Sequence, residues 1–322
     1  MAAKLSRAGL GVLLLDETWV ATEVSCSIDL QMRFRDLDPN TDRRSLEQLW
    51  RAAMAPTWPL LPNGLDLIRA GLIAEAGDLV AGAVAFDEAG SVLLLLVHPN
   101  RQRRGVGTAL LDAAMARLRT AGVRQVRLGS GGAGYIWPGV PTNLPEAVSF
   151  FEARDWTWDH VVSDLVCDLR SYAPPRGVYE RASAAGVSLA VAEESDLTDV
   201  LIFEQRWFPQ WVRWFLQPSR SILLARDSQA EVVGSLLFAG PGQRSTFWPM
   251  LGSDMGTIGC VGVAEPARGA GIGAALVVRA SELLRDAGAG MCHIGWAWQP
   301  HFYERLGYQR WRDYVMARLR RA

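Results

Sequence analysis

The chain has 322 residues, of which 33 are basic and 34 acidic, and its formal net charge is −1. At about 100–200 residues per domain this length predicts two domains, and the balanced charge excludes a global basic field that would hold nucleic acid or an anionic membrane. The four cysteines (Cys26, Cys167, Cys260 and Cys292) are widely spaced and form no CxxC pair. We therefore expect reduced thiols in a cytoplasmic protein without a metal site.

Residues 1–31 are expected to be a disordered extension, or the product of an over-called start codon. Lys4 and Arg7 precede an apolar run at 9–15 that superficially resembles a signal peptide. That run is near the minimum length for such a peptide, and Asp16 ends it without a small-residue cleavage site. It is also too short to span a bilayer.

The first half of the chain, from Met32 onward, alternates between strand and helix periodicity. The predicted elements are a strand at 32–37, helices at 42–54 and 64–69, strands at 72–76, 79–86 and 92–97, a helix at 106–118, a strand at 123–128, a helix at 144–154 and terminal strands to 169. The proline-rich segment at 171–177 has the composition of a linker. We therefore predict a first domain at 32–172 and a linker at 173–186.

The same order of elements then begins again. The predicted elements are a strand at 189–192, a helix that opens at 193–197, a tryptophan-rich segment at 207–215, a hairpin at 222–226 and 231–238, a long strand at 255–263, a helix at 273–287, a strand at 291–298, a short helix at 300–306 and a closing strand at 314–319. The second domain is thus predicted at 187–322. The fold class is α+β, with two tandem domains, each a mixed, mostly antiparallel twisted sheet flanked by helices.

A sequence repeat relates the two halves. The segment VHPNRQRRGVGTALL (97–111) recurs as VAEPARGAGIGAALV (263–277), in which Gly271 and Gly273 match Gly105 and Gly107. In each copy an apolar strand leads into a basic, glycine-containing turn and then into an apolar helix. The amides of such a turn and the positive end of the helix dipole together bind anions such as a diphosphate.

The glycine turns fit neither of two common phosphate loops. No Lys-Ser/Thr pair follows the glycines, and no three-glycine fingerprint follows the first strand. The turns QRRGVG and RGAGIG instead resemble the coenzyme-A loop of the GNAT acetyltransferases, Gln/Arg-x-x-Gly-x-Gly/Ala, and the resemblance covers about residues 32–322. It implies a tandem GNAT enzyme that uses acetyl-CoA to acetylate an amine. It assigns to coenzyme A the residues Gln102, Arg103, Arg104, Gly105, Val106 and Gly107 of the first half and Arg268, Gly269, Ala270, Gly271, Ile272, Gly273 and Ala274 of the second.

The two halves differ at the position of the general acid. GNAT enzymes typically carry a tyrosine in an FYExxGF-like motif at the start of the last helix, and its hydroxyl protonates the departing thiolate. The second half has FYERLGY, in which Tyr303 takes that role by resemblance, whereas the first half has FFEARDW, with Phe151 in its place. Because a phenyl ring has no proton to donate, we expect turnover in the second domain and a structural or regulatory role for the first, with or without bound coenzyme A.

The resemblance also assigns the backbone amides of Val261 and Val263 to the acetyl oxygen and the pantetheine. For the general base our prediction is His293, because an imidazole with an ordinary pKa suits proton removal from an ammonium near neutrality. Asp254, which precedes the long strand, is an alternative base or an anchor for the ammonium, and Glu304 is a further reserve.

Aromatic content bears on the acceptor. The chain has 13 tryptophans, many of them in the second half, and we expect most to be core. An aromatic face that offers N–H groups also suits a pyranose, and together with carboxylates such as Asp254 and Glu204 it favours a small cationic amino sugar. The stretch 294–314 is similar to tandem GNAT proteins that acetylate glucosamine. A mycothiol-synthase-like enzyme, an aminoglycoside acetyltransferase and a non-catalytic coenzyme-A sensor remain open.

The first half carries an insertion before its last helix. This segment, 129–143, is rich in glycine and proline and contains Tyr135 and Trp137. Such a segment is either a functional contact loop or a plain insertion. We expect it to pack across the domain interface.

Overall fold

A computed structural model describes residues 32–55, 57–129, 136–217, 219–242, 246–317 and 320–321. Within these ranges the strands form a six-stranded sheet, in the order β1-β2-β3-β4-β5-β14, and an eight-stranded sheet, in the order β6-β13-β7-β12-β11-β10-β9-β8. Both sheets are mixed, since β4 is parallel to β5 and β11 is parallel to β12. The predicted α+β class with two tandem units is confirmed.

The strands are β1 (Met32–Asp36), β2 (Ala70–Ala76), β3 (Leu79–Phe86), β4 (Ser91–Val97), β5 (Gln125–Leu128), β6 (Val140–Pro141), β7 (Trp158–Asp168), β8 (Ser188–Val191), β9 (Ser221–Arg226), β10 (Val232–Ala239), β11 (Met255–Val263), β12 (Met291–Ala297), β13 (Gln309–Ala317) and β14 (Arg320–Arg321). The helices are α1 (Arg43–Met54), α2 (Pro62–Leu65), α3 (Val106–Thr120), α4 (Pro145–Glu152), α5 (Val178–Ala184), α6 (Leu197–Trp207), α7 (Val212–Phe215), α8 (Trp248–Leu251), α9 (Ile272–Asp286) and α10 (Pro300–Glu304). No helix in the described part of the chain is long and apolar enough to cross a membrane.

Apolar periodicity explains the best-predicted elements. In α9 the buried side chains recur at three- and four-residue spacing, as in Ile272, Leu276 and Ala280, so one face of the helix covers the second sheet. The predicted helix at 64–69 is instead a single turn, α2. It ends there because the amides of Leu67 and Ile68 bond to carbonyls three residues back rather than four.

The two sheets exchange strands. Although β7 follows the first half in sequence, it lies in the second sheet, antiparallel to both β12 and β13. In return β14, near the end of the chain, pairs with β5 of the first sheet. The prediction that strands up to 169 complete the first sheet was therefore wrong. The alternation of apolar residues determines which face of a strand is buried, but it does not determine which strand lies beside it.

Two further segments join the second unit. The insertion crosses the interface as expected, since β6 pairs with β13 and the Trp137 ring stacks on Trp50 of α1 with centroids 5.5 Å apart; Tyr135 lies outside the described residues. The predicted linker at 173–186 contains α5, which buries Val178 and Ala182 against the core under α9. Only the stretch before α5 remains as a connection.

The exchanged strand carries a buried acid into the joint core. The Asp164 side chain is fully buried, and its Oδ1 accepts a hydrogen bond from the Trp296 backbone N–H at 2.8 Å. Its Oδ2 accepts one from the Tyr314 hydroxyl at 2.9 Å and lies 3.3 Å from His293 Nε2. A buried carboxylate needs such partners to offset its desolvation. An acid of the first half thus accepts two hydrogen bonds from the second half and lies close to a third group of it, the His293 ring.

We predict that the two halves stay associated after the connection between them is cut. A protease site placed within 173–177 should yield two fragments that elute together in native buffer, because β7 and β14 each remain paired in the other fragment's sheet. Size-exclusion chromatography with mass spectrometry measures this, and addition of urea to the cut protein is the control that should separate the fragments. Separation in native buffer would contradict the exchanged pairing.

A second prediction concerns the buried acid. Tyr314→Phe removes one donor to Asp164 and should lower the free energy of unfolding by about 1–3 kcal/mol, the usual cost of leaving a buried polar group short of a partner. The matched control is Tyr179→Phe, because Tyr179 donates to Glu282 from a position that is 36% exposed. Urea denaturation of both variants provides the comparison. Equal losses would show that the Asp164 network adds no stability.

Candidate active site

Each half contains a glycine turn at the start of a long helix. The residues that precede α3 and α9 are Gly105 and Gly271, and both have φ near +81°, a left-handed conformation that favours glycine. Each of the two helices has 15 residues. The amides of the first helical turn therefore remain available to an anion, next to the positive end of the helix dipole.

The first residue of each motif ties the turn to the preceding strand. Gln102 Nε2 donates to the carbonyl of Val97 at 3.2 Å, and Arg268 Nε donates to the carbonyl of Val263 at 3.2 Å. The two turns therefore have the same local architecture. The other positions of each motif contribute mainly their backbone groups. In the first turn, the exposed Arg103 and Arg104 also add positive charge.

The second glycine of each motif lies against an aromatic ring of the last helix. A Cβ on Gly107 would be 3.3 Å from the Phe150 ring, and one on Gly273 would be 3.5 Å from the Phe302 ring. Phe150 and Phe302 are therefore structural equivalents. It follows that the next residues, Phe151 and Tyr303, occupy equivalent positions as well.

The strand before the second turn is bulged. The register of β10 against β11 shifts between Ser235 and Leu237, and Cys260 in β11 has φ +52°. Pairing of β11 with β12 ends at Ile258, and β12 has a bulge of its own at Trp296, with φ +56°. The two parallel strands therefore separate beyond Ile258 and leave a slot that leads to the glycine turn.

The predicted amide donors lie on the wall of this slot. Val261 and Val263 follow the bulge in β11, where β12 is no longer paired with the strand. In the first half, the register of β4 against β3 also shifts, between Leu94 and Val92, but no residue of β4 has a positive φ, so the kink at Cys260 has no counterpart there. The sequence signal for this bulge was the set of glycines in β11, GTIGCVGV, because glycine inside a strand often marks a bulge.

Tyr303 lies in α10 and packs against the core of the second half. Its ring is edge-on to Phe302, with centroids 4.9 Å apart. Burial, and to a lesser extent the neighbouring Cys260 thiol, raises the pKa of Tyr303 well above its usual range. The phenol therefore keeps its proton at neutral pH. Phe151 has the same edge-on contact with Phe150, at 5.2 Å, but has no hydroxyl.

A buried carboxylate is hydrogen-bonded to β10 where that strand meets the bulge. Glu204 in α6 is 0% exposed, and its Oε1 accepts a hydrogen bond from the Ser235 hydroxyl at 2.5 Å. Within the described residues, Oε2 has no hydrogen-bond partner. Burial raises the pKa of Glu204 to about 7. Such a group exchanges its proton at neutral pH and suits general base catalysis.

Sequence reasoning placed Glu204 only among the carboxylates that could bind an amine and did not consider it as a candidate base. The available signal was its helical position: Glu204 stands one turn after Val200 and next to Phe203, on the buried face of α6. A carboxylate on an apolar face is uncommon and points to function when it lies near a cleft.

The Cys260 thiol interacts electrostatically with both Tyr303 and Glu204. Burial raises the pKa of the Cys260 thiol to about 12; Arg220 and Arg213 lower it, and Glu204 raises it. The Cys260 thiol therefore stays neutral and supplies no thiolate nucleophile. Cys260 also raises the pKa of Tyr303, so the thiol at the bulge is coupled electrostatically to both groups.

The three other acid–base candidates lie in different surroundings. His293 is buried between Phe247 and Trp311, with ring centroids 5.1 and 5.8 Å away, in the core that the two halves share. Asp254 lies at the opposite end of β11, about 20 Å from the bulge for six residues of extended chain. There its carboxylate is paired with Arg170 at 2.6 Å.

Glu304, the reserve base, is held in a surface cluster. It accepts hydrogen bonds from Arg310 at 2.7 Å and is 2.6 Å from a ring nitrogen of His301. The hydrogen bond from Arg310, followed by the contact with His301, lowers the pKa of Glu304. It therefore remains an anion at neutral pH and is a weaker base than Glu204.

The tryptophans divide into core and surface groups. Trp50, Trp58, Trp137 and Trp156 are buried, and all four come from the first half. Trp298 is 64% exposed; it follows β12 and stacks on His160 of the exchanged strand with centroids 4.3 Å apart. The aromatic residues near the proposed base are Trp211 and Trp214, which pack around the same cluster as Cys260.

Comparison with known proteins supports one family. A family model described as an acetyltransferase (GNAT) domain matches residues 69–156 and 218–310, which is more than half of the chain. The mycothiol acetyltransferase of Clavibacter sepedonicus is 30% identical over 239 residues, which are 67% of this chain and 68% of that protein. The mycothiol acetyltransferase of Mycolicibacterium paratuberculosis (strain ATCC BAA-968 / K-10) is 28% identical over 239 residues, 70% of each chain.

Solved structures agree with this result. The GCN5-related glucosamine N-acetyltransferase region of a fungal multi-domain GH3 β-N-acetylglucosaminidase superposes with a TM-score of 0.81 at 27% identity. That match covers 92% of this chain but 39% of the fungal chain. A tandem GNAT protein from the clavulanic acid biosynthesis pathway gives a TM-score of 0.63 at 18% identity over 90% and 98% of the two chains, and supports the fold. With its two glycine turns on duplicated sheets, this chain belongs to the GNAT family of acetyl-CoA-dependent N-acetyltransferases.

Proposed function

We propose that the second half acetylates the primary amine of a small polar acceptor, an amino sugar such as glucosamine, while the first half serves as a structural partner. The observation that carries this proposal is Glu204, a buried carboxylate with a pKa near neutrality beside the bulge at Cys260. The glucosamine N-acetyltransferase region of the fungal relative supports the amino sugar. The two mycothiol acetyltransferases make a mycothiol-type acceptor the second candidate.

The second half has the features that acetyl-CoA requires. Gly271 holds the turn open for the diphosphate, and the slot past the bulge offers the amides of Val261 and Val263 to the pantetheine and the acetyl oxygen. When bound there, acetyl-CoA supplies an activated acyl group in a thioester. The first half keeps an equivalent turn at Gly105, so coenzyme A binding without turnover fits that half.

Glu204 acts as the general base in this proposal. The acceptor enters as an ammonium, and Glu204 Oε2, which has no partner within the described residues, accepts a proton from its nitrogen. Ser235 fixes the other oxygen through the bond at 2.5 Å and so orients the carboxylate. Because the Cys260 thiol is neutral, the freed amine attacks directly, without an acyl-enzyme.

Tyr303 acts as the general acid. The hydroxyl donates its proton to the sulfur that leaves, and its raised pKa ensures that the proton is present. As the amide forms, the acetylated nitrogen loses a second proton. Because burial disfavours the phenolate, Tyr303 takes up this proton, directly or through solvent, so one proton in total is released per turnover. The proton taken up by Glu204 returns to solvent when that carboxylate is deprotonated again above a pH of about 7.

A thiol-release assay tests the function and the acid together. The unmodified enzyme should acetylate glucosamine well and a lysine-containing peptide poorly, because aromatic rings and a carboxylate recognise the sugar face and its ring hydroxyls together. Tyr303→Phe should lower kcat for glucosamine by about 10²–10⁴, the range typical of acid–base groups, with little change in coenzyme-A affinity.

The matched control for this variant is Phe151→Tyr, which places a hydroxyl at the equivalent position of the first half and should leave the rate unchanged. Faster acetylation of the peptide than of every amino sugar would overturn the proposed acceptor. An unchanged kcat in Tyr303→Phe would assign thiolate protonation to water.

The Glu204 assignment predicts a pH profile. In the unmodified enzyme kcat/KM should rise about tenfold per pH unit below about 7 and level off above it, as the carboxylate loses its proton. Glu204→Gln should lower the rate and abolish the rise, whereas Glu304→Gln, on the surface, should retain the rise. A rise that survives in Glu204→Gln would rule this residue out as the base.

The same group also affects stability. Burial raises the folded-state pKa of Glu204 above its ordinary value of 4.5, so the protonated acid favours folding, and this contribution is lost as the pH rises through about 7. In urea denaturation, the free energy of unfolding of Glu204→Gln minus that of the unmodified protein should therefore be larger at pH 8 than at pH 5. This measurement is independent of turnover.

A further inference from the structure

We propose that Arg213 and Arg220 form an anion subsite at the acceptor end of the site, so that the preferred acceptor carries an acidic group, phosphate or carboxylate, as well as its amine. The inference rests on the proposed function and narrows its substrate class. The mechanism proposed above does not use the positive charges of Arg213 and Arg220.

Both guanidinium groups lie against one indole. Arg213 Cζ is 4.9 Å from the centroid of the Trp214 ring, and Arg220 Cζ is 5.4 Å from the same centroid. Both positive charges therefore lie beside one indole, and an anion bound next to that ring is attracted by both. The aromatic face stabilises each cation only in part.

Neither of these arginines has an acidic partner within the described residues. The contrast is with Arg226, at the end of β9, whose guanidinium pairs with Asp196 at 2.7 Å and Asp199 at 3.0 Å. The folded chain thus neutralises one arginine of this region and leaves two positive charges for a ligand. A guanidinium is the group best suited to bind a phosphate or a carboxylate in bidentate fashion.

The pair lies close to the reacting centre. Trp214 packs around the same cluster as Cys260, and the charges of Arg220 and Arg213 act on the Cys260 thiol by lowering its pKa, against the effect of burial. Glu204 acts on the same thiol with the opposite sign. The carboxylate also lies at this bulge, since Ser235, which donates to Glu204, stands where the register of β10 against β11 shifts.

A zwitterionic acceptor complements this arrangement. Its ammonium faces Glu204, which takes the proton, and its acid group faces Arg213 and Arg220. The same contact holds the amine in a fixed position relative to the bulge, which favours direct attack. A neutral amino sugar satisfies Glu204 alone and leaves both arginines without an anion.

Initial rates with three acceptors test the inference. Glucosamine has no acid group, glucosamine 6-phosphate has a phosphate, and muramic acid has a carboxylate. We expect kcat/KM for at least one of the two acidic sugars to exceed that for glucosamine by about tenfold or more, which corresponds to one charge-assisted contact. The identity of the preferred acidic sugar shows whether the subsite binds a phosphate or a carboxylate.

Variants locate the effect. Arg213→Gln and Arg220→Gln should each remove most of the preference, by lowering kcat/KM for the preferred acidic sugar about tenfold. The matched control is Arg206→Gln, because Arg206 lies 5.0 Å from the Trp207 ring in the same way but does not act on Cys260. It should leave all three rates unchanged. Loss of the preference in Arg206→Gln alone, or its persistence in both other variants, would overturn the subsite.

A binding measurement separates failure of the subsite from failure of the proposed function. Calorimetric titration of the preferred acidic sugar into protein saturated with coenzyme A should show binding that weakens about tenfold in Arg213→Gln and Arg220→Gln. Binding without acetylation of any amine would refute the proposed function and keep the subsite. Equal rates for all three sugars, with glucosamine acetylated, would refute the subsite and keep the function.

Discussion

The pairing of β7 with β12 and β13 is the contact on which the rest of the structure depends. It places a strand of the first half in the middle of the second sheet, next to the strand that forms one wall of the slot. Asp164 on β7 accepts the backbone N–H of Trp296, the residue at which β12 bulges. The first half therefore helps to shape the site of the second half, even though its own equivalent of Tyr303 is a phenylalanine.

The two copies of the repeat keep the same turn and differ in the strand before it. Gly105 and Gly271 have the same backbone conformation, because both copies must present free amides at a helix start. β4 has a register shift of its own against β3, between Leu94 and Val92, but no residue in it takes the positive φ of Cys260. A turn without that kink and without a tyrosine retains the features needed to bind an anion. It lacks the groups that the proposed chemistry requires.

Burial governs the protonation of the site. Exclusion of water disfavours every charged form, and the same environment therefore has different consequences for groups with different ordinary pKa values. It keeps Tyr303 and Cys260 neutral at any ordinary pH, and it raises the pKa of Glu204 to about 7. Of these three groups, only the carboxylate is left to titrate near neutrality. One physical effect thus distinguishes the proposed base from the proposed acid.

The sequence by itself determined the local features of this protein. These features are the repeated glycine turns, the helices that follow them, and the equivalence of Tyr303 and Phe151. Each depends on residues close together in the chain, where periodicity and motif spacing are informative. Only the tertiary structure decided that β7 lies in the second sheet, that Glu204 rather than His293 or Asp254 approaches the bulge, and that Arg213 and Arg220 have no acidic partner within the described residues. These features depend on which distant segments meet and on which groups lose water, and neither is encoded in the spacing of residues along one segment.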